Sequence, residues 1–177
     1  AAALRRRGRP VSALKPLASG SAPPGPDAEL IARSAAHPPR VHTCLATPAA
    51  PHRAAAIAGV SIDLDAVLEW VRAHAGEPTL VEGVGGWTVP ITPTARVSDM
   101  AIALGFPVVV VAANRLGVLN HSILTVEAIQ ASGLSVATLV LNDHFSTDPE
   151  LAAWNHEDLS RALSCSVIRL PHQPELG

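Results

Sequence analysis

The sequence predicts an α/β protein built on a mostly parallel β-sheet with helices on both faces. Short apolar runs typical of buried strands alternate along the chain with longer segments whose apolar residues repeat at helical spacing. Polar residues follow several of these strands, and the carboxyl ends of parallel strands are where such sheets bind ligands. The 177 residues suffice for one substantial core. We therefore expect a single domain over residues 1–177.

Helical spacing and terminal glycines predict the helices. Residues 62–75 show the spacing most clearly, and Gly76 follows the last turn. Asp27 is predicted to cap the helix that follows it, and Asn120 is predicted to cap a later helix. The predicted helices are 1–7, 28–36, 62–75, 97–104, 120–132 and 151–164.

The predicted strands are short apolar runs that end at polar or glycine-rich segments. Residues 107–112 form a continuous apolar run, which is typical of a central parallel strand covered on both faces. Residues 18–26 are rich in Ser, Gly and Pro and predict a loop, and the proline-broken segment 38–51 predicts irregular structure. The predicted strands are 10–14, 80–81, 107–112, 135–141 and 167–170.

Composition argues against several classes of function. The net charge of −2 favours neither a nucleic-acid partner nor a membrane surface, and no apolar stretch has the length of a spanning helix. Cys44 and Cys165 form no C-x-x-C pair, which suits the reducing cytoplasm, and a disulfide between the two is the alternative. The eight histidines show no zinc-site spacing, and no G-x-S-x-G nucleophile motif occurs.

A carboxylate and a glycine-rich loop are combined in Thr-Leu-Val-Glu-Gly-Val-Gly-Gly-Trp at 79–87. A buried strand delivers Glu82 to a loop whose backbone can approach a ligand closely, because glycine has no Cβ. Carboxylates in such positions often bind the Mg²⁺ that accompanies phosphate. A tight turn with a surface glutamate is the alternative interpretation.

Lys15 is the only lysine among 13 basic Lys and Arg residues, and it follows the predicted strand 10–14. A compact ammonium acts on phosphate or carboxylate as a point charge with three rotatable donors. An arginine-biased composition also explains a single lysine. The strand ends nevertheless collect further polar residues, since Glu82, Asn114, Asn142 and the stretch 171–173 each follow a predicted strand.

Several motifs together resemble the dethiobiotin synthetase family over nearly the whole chain, from Lys15 to about Pro171. Pro51-His52 resembles the family's Pro-His before its long middle helix. The more specific motifs are Lys-Pro-Leu-Ala-Ser-Gly-Ser at 15–21, Val-Glu-Gly-Val-Gly-Gly-Trp at 81–87, Arg-Leu-Gly-Val-Leu-Asn-His at 115–121 and Leu-Val-Leu-Asn-Asp at 139–143.

The resemblance implies a P-loop NTPase-like fold and an ATP-dependent ligase of biotin biosynthesis. The family carboxylates 7,8-diaminononanoate with CO₂, phosphorylates the carbamate and closes a cyclic urea to give dethiobiotin, ADP and phosphate. It uses Mg²⁺ with ATP and works as a cytoplasmic homodimer whose substrate site lies at the subunit interface. No nucleic-acid or membrane partner is implied.

The resemblance also implies a role for each matching residue. Lys15 would be the catalytic lysine, Ser19 would bind the carbamate, and Asp27 and Glu82 would hold Mg²⁺. The substrate carboxylate would bind at the helix N-terminus formed by Gly117, Val118, Leu119 and Asn120. The nucleotide would contact Asp27, Glu82, Gly83, Val84, Gly85, Asn142, Asp143, Pro171, His172 and Gln173, with Asn142 reading the adenine edge.

The sequence departs from the family in one respect, because it contains no G-x-x-x-x-G-K-[ST] phosphate loop. We expect the first strand and this loop to precede Ala1, so that the chain is truncated at its N-terminus. Two alternatives remain: a related amidoligase or partitioning-type ATPase of the same fold, and a non-catalytic dimeric module that has lost nucleotide binding.

Overall fold

The structure, a computed structural model, describes residues 1–145 and 148–172. The chain forms two compact units, of which unit 1 is Ala1–Leu104 and unit 2 begins at Gly105. Each unit contains a parallel sheet flanked by helices, which confirms the predicted α/β class. Within the described ranges, no helix has the length and apolar character needed to cross a membrane.

Unit 1 carries a three-stranded parallel sheet in the order β2-β1-β3. Strand β1 is buried along almost its whole length, and its side chains pack against the surrounding helices. The core includes Leu17, Val67 and Ile91, which are at most 1% exposed. Its elements are α1 (Ala2–Arg6), β1 (Ser12–Ser19), α2 (Pro26–Ala35), β2 (Val41–Leu45), α3 (Pro51–Ala58), α4 (Leu64–Ala73), β3 (Thr79–Val81) and α5 (Val97–Leu104).

Unit 2 carries a second parallel sheet, in the order β4-β5-β6, and α6 and α7 pack on one set of its side chains. Leu139 and Leu141 of β5 are completely buried in this core. Its elements are β4 (Val108–Ala113), α6 (Val118–Ala131), β5 (Val136–Asn142), a 3₁₀ turn (Asp143–Phe145), α7 (Pro149–Ala162) and β6 (Ser166–Leu170). Val109 and Val111 are 53% and 65% exposed, so the prediction that this strand is covered on both faces is wrong.

The prediction that the first strand ends at Leu14 and that Lys15 follows it is also wrong, because β1 continues through Lys15 to Ser19. Pro16 misled the prediction, since proline lacks the N–H that a strand interior normally donates. The structure tolerates Pro16 because the pairing with β3 ends beside it: Leu14 pairs with Val81, and the amide of Glu82 donates to the Leu14 carbonyl at 2.8 Å. Beyond that bond β1 and β3 no longer pair, and Glu82 begins the glycine loop.

The prediction that the segment 38–51 is irregular is wrong, because it contains β2. A helix that was not predicted, α3, begins at Pro51.

Both predicted helix caps are wrong as well. Gly25 is the N-cap of α2, which places Asp27 inside the first turn, and Gly117 is the N-cap of α6, which places Asn120 inside that helix. Proline at the first helical position accounts for the earlier start of α2.

Candidate functional site

Lys15 is the centre of a cluster of charged groups in unit 1. Its side chain is 5% exposed, and Nζ donates to Glu82 Oε1 at 2.7 Å and to the carbonyl oxygen of Gly83 at 2.9 Å. Asp27 Oδ2 lies 3.2 Å from the same nitrogen. We call this group of Lys15, Asp27, Glu82 and the Gly83 carbonyl the lysine clamp.

Three different elements bring the lysine clamp together. Lys15 projects from the middle of β1, Glu82 follows β3 directly, and Asp27 is the second residue of α2. A carboxylate in the first turn of a helix is favoured by the partial positive charge of the free N–H groups there. The side chains of Asp27 and Glu82 remain 60% and 49% exposed, so both carboxylates are accessible to solvent although the ammonium is not.

In the loop after Glu82, Gly85 is the position where the backbone most requires glycine. Gly85 has φ +68°, and a Cβ there would lie 3.0 Å from Cγ2 of Val89. A Cβ at Gly83 would make only an ordinary contact at 3.6 Å with Val97. Val84 packs against the core of unit 1 and anchors the loop.

Ser19, the predicted carbamate-binding serine, is the last residue of β1. Its hydroxyl donates to the carbonyl oxygen of Ala49 at 2.8 Å. The hydroxyl oxygen keeps lone pairs that accept hydrogen bonds from a ligand while the proton is engaged in this way.

In unit 2, Asn142 and Asp143 end β5 and begin the 3₁₀ turn. Asn142 accepts a hydrogen bond on Oδ1 from the amide of His144 at 3.0 Å, and its carbonyl accepts from the amide of Asn114 at 2.9 Å. Asp143 is only 7% exposed. Its Oδ1 accepts from Asn114 at 2.7 Å, and its Oδ2 accepts from Nε and Nη2 of Arg169 at 3.0 and 2.6 Å.

Asp143 therefore belongs to a polar group that we call the asparagine–aspartate network, made of the buried residues Asn114, Asp143 and Asn155 and the exposed Arg169. Asn155 donates to Oδ1 of the fully buried Asn114 at 2.9 Å. Burial acts to raise the pKa of Asp143, but hydrogen bonds from Arg169 and Asn114, with the Arg169 charge, outweigh it and lower the pKa. Both oxygens of Asp143 thus have internal partners, which gives this predicted nucleotide-binding residue a structural task.

Sequence reasoning missed two members of this network. Asn155 and Arg169 are a polar residue on the buried side of α7 and a charged residue inside the apolar strand β6. For Asn155, a polar residue at a position that periodicity assigns to the interior is the signal that indicates such a partner, whereas Arg169 is exposed and carries no such signal.

The predicted carboxylate-binding residues lie at the start of α6. Gly117 has φ +92° and precedes the first helical residue, Val118, which is buried, whereas Asn120 is exposed. The amide of His121 donates back to the Gly117 carbonyl at 3.3 Å. The partly buried Leu119 packs against the core of unit 2.

The predicted adenine loop is described as far as His172, and Gln173 lies outside the described residues. Pro171 and His172 follow β6, and both are exposed. Nδ1 of His172 lies 3.2 Å from Nδ1 of His144, which follows Asn142 by two residues. Contacts within unit 2 thus connect the turn after β5 with the segment after β6.

The two carboxylates of the lysine clamp are suitable ligands for Mg²⁺. This ion binds proteins through one or two carboxylates and completes its coordination with waters and substrate phosphates. Asp27 and Glu82 supply two accessible carboxylates that converge on one point, the Lys15 ammonium. Among the described residues, no group of three or more His, Cys, Asp or Glu side chains is placed to hold a metal ion, so a site made of protein ligands alone is not indicated there.

Comparison with known proteins identifies the family. The sequence matches the AAA domain family over residues 1–177. It is 40% identical to the ATP-dependent dethiobiotin synthetase BioD of Anaeromyxobacter sp. (strain Fw109-5), over 93% of this chain and 77% of that protein. It is also 40% identical to the enzyme of the same name from Aromatoleum aromaticum, over 96% of this chain and 80% of that protein. The chain therefore belongs to the dethiobiotin synthetase family.

Proposed function

We propose that this chain catalyses the ATP-dependent carboxylation and ring closure of 7,8-diaminononanoate to dethiobiotin in biotin biosynthesis. The reaction consumes the diamine, CO₂ and ATP and releases ADP and phosphate. Family membership supports the proposal. The observation that carries it is the buried Lys15 ammonium beside two accessible carboxylates, of which Glu82 lies directly after the carboxyl end of the parallel strand β3.

Lys15 is the proposed catalytic residue. When CO₂ has added to one amine of the substrate, the carbamate carries a negative charge, and phosphoryl transfer spreads further charge over the transferring group. An ammonium group that is buried from solvent stabilises such charge more strongly than one in bulk water. The Gly83 carbonyl, at 2.9 Å, orients Nζ without neutralising it.

Asp27 and Glu82 are the proposed residues for Mg²⁺ bound with ATP. When bound, the ion neutralises charge on the phosphate oxygens. The two side chains belong to separate elements and are each about half exposed, so both can turn toward a ligand arriving from solvent. Gly83, Val84 and Gly85 would line the nucleotide with backbone groups.

The adenine base is assigned to Asn142, Asp143 and the segment Pro171, His172 and Gln173. An amide presents both a donor and an acceptor, which the adenine edge requires. The bond from His144 to Oδ1 of Asn142 fixes the side chain in one orientation. Asp143 supports that turn through its own buried contacts.

Ser19 is proposed to hydrogen-bond the carbamate, and residues 117–120 are proposed to receive the carboxylate of the substrate. Unpaired N–H groups at a helix N-terminus favour an anion. We propose a cytoplasmic homodimer in which residues 1–177 act as one ligase domain. The match over that whole range supports the domain assignment, and two free cysteines suit a reducing compartment.

The decisive experiment measures ADP release by the purified chain while diamine and CO₂ are withheld singly and together. The proposed ligase releases ADP only when both are present, with dethiobiotin formed in equal amount. ADP release without the diamine would indicate an ATPase of the same fold instead. A folded dimer that binds no nucleotide would indicate a non-catalytic module.

A further inference from the structure

The Lys15 ammonium makes two hydrogen bonds in the lysine clamp, to Glu82 and to the Gly83 carbonyl, and an ion pair with Asp27. A lysine has three N–H donors, and three acceptors lie within 3.2 Å of Nζ. Two of them, on Asp27 and Glu82, are charged, and the third, the Gly83 carbonyl, is neutral. In this arrangement the positive charge is already neutralised, so Lys15 is not available to an anionic substrate.

The exposure of the three side chains is unequal. The Lys15 side chain is 5% exposed, whereas the carboxylates that hold it are 60% and 49% exposed. A cation arriving from solvent therefore reaches Asp27 and Glu82 without displacing the lysine stem from β1. The Gly83 carbonyl offers a third contact that no rotation of the two carboxylates breaks.

We propose that a divalent cation and Lys15 compete for the same two carboxylates, so that binding of the cation releases the ammonium for the anionic substrate. The inference rests on the proposed function, because it takes Asp27 and Glu82 as the Mg²⁺ ligands. The Gly83 carbonyl keeps Nζ in place as the two ion pairs are lost. Binding of the cation and binding of the anion thus strengthen each other.

The first test measures Mn²⁺ affinity by electron paramagnetic resonance without nucleotide. Lys15→Met preserves an unbranched side chain but removes the competing charge, and the loss of two ion pairs to partly exposed carboxylates corresponds to about tenfold in affinity. We expect Lys15→Met to bind Mn²⁺ about tenfold more tightly than the unaltered chain. Circular dichroism establishes that each variant is folded.

Arg161→Met is the matched control for the lost positive charge. Arg161 also pairs with two carboxylates, Glu157 and Asp158, on the surface of α7, and we expect its loss to leave Mn²⁺ affinity unchanged. Glu82→Gln tests the site itself and should weaken Mn²⁺ binding. Mn²⁺ binding that Glu82→Gln leaves intact would overturn both the metal assignment and the competition. Lower affinity in Glu82→Gln with unchanged affinity in Lys15→Met would overturn the competition alone.

The second test observes the ammonium of the unaltered chain directly. Because the sequence has one lysine, protein labelled with [ε-¹³C]lysine gives a single lysine signal in a nuclear magnetic resonance spectrum. We expect Mg²⁺ to shift that signal along the same saturation curve that describes metal binding. A signal that stays fixed while metal saturates the Glu82-dependent site would overturn the proposal and leave the proposed ligase activity untouched.

Discussion

Replacing Arg169 with methionine tests the asparagine–aspartate network most directly. The change removes two donors from Oδ2 of Asp143, at 3.0 and 2.6 Å, and leaves the buried carboxylate with Asn114 alone. Removing one partner of a buried pair costs about 3–5 kcal/mol. Arg169 is 34% exposed, and solvent weakens the pair, so we expect unit 2 to lose about 2–3 kcal/mol.

The dependence on pH identifies the cause of that loss. Because the pKa of Asp143 is lowered in the folded chain, its ionised form stabilises the fold above the unfolded pKa of about 3.9. That contribution is lost as the pH falls through the lower, folded pKa. Arg169→Met removes the hydrogen bonds and the positive charge of Arg169, which lower the pKa of Asp143, whereas burial, which raises that pKa, remains. The difference in unfolding free energy between the two proteins should therefore narrow on acidification below about pH 4.

Urea unfolding at pH 7 and pH 3, followed by circular dichroism and tryptophan fluorescence, measures the effect. Hydrogen exchange of β5 amides then localises it to unit 2. Arg161→Met is the control, because its ion pairs are exposed and their loss should cost at most about 0.5 kcal/mol. A loss equal at both pH values would refute the electrostatic reasoning and point to lost packing of the arginine stem.

Three further substitutions test the proposed adenine contact of Asn142, the backbone of the glycine loop at Gly85 and the proposed carbamate contact of Ser19. Asn142→Ala should relax the preference for ATP over GTP, measured as the ratio of kcat/KM values, and an unchanged ratio would place adenine recognition elsewhere. Gly85→Ala should cost about 1–2 kcal/mol in urea unfolding, because φ is +68° and the new Cβ would press on Val89. Gly86→Ala, where a Cβ meets nothing within 4 Å, is its control and should cost less. Ser19→Ala should raise KM for the diamine and leave ATP binding unchanged, and a parallel loss of ATP affinity would contradict its assignment to the carbamate.

The order of strands and helices could be predicted because apolar periodicity is a local property of the sequence. Residues 97–104 are helical as predicted, and four of the five predicted strands agree with the structure to within about a residue at each end. Strand β1 does not, since its continuation through Pro16 depends on where β3 stops pairing with it. Strand β2 was missed because flanking prolines hide a five-residue strand that is held by pairing with β1.

The position of Asp27 shows why local rules misjudge a residue with a distant partner. An aspartate before a helical segment is a good N-cap, and the sequence predicts one. In the structure the helix begins with Pro26, and the carboxylate contacts Lys15, twelve residues earlier in the chain. Likewise the hydrogen bond that Asn114 donates to Asp143 and the one that it accepts from Asn155 span 29 and 41 residues, which no window of local sequence includes.

Lys15 and Asp143, the two buried charged residues in the described part of the chain, differ in how exposed their partners are, and that difference separates a functional charge from a structural one. Asp143 is held by Asn114, which is fully buried, and by Arg169, which is about one-third exposed. Removing a partner leaves the negative charge of this buried carboxylate without a counter-charge, which is strongly unfavourable, so its contacts are expected to persist in the folded protein. Lys15 is equally buried, but its charged partners are about half exposed and can exchange it for another cation. A buried charge whose counter-ions face solvent is therefore the one that a ligand can mobilise, which favours the lysine clamp as the reactive centre.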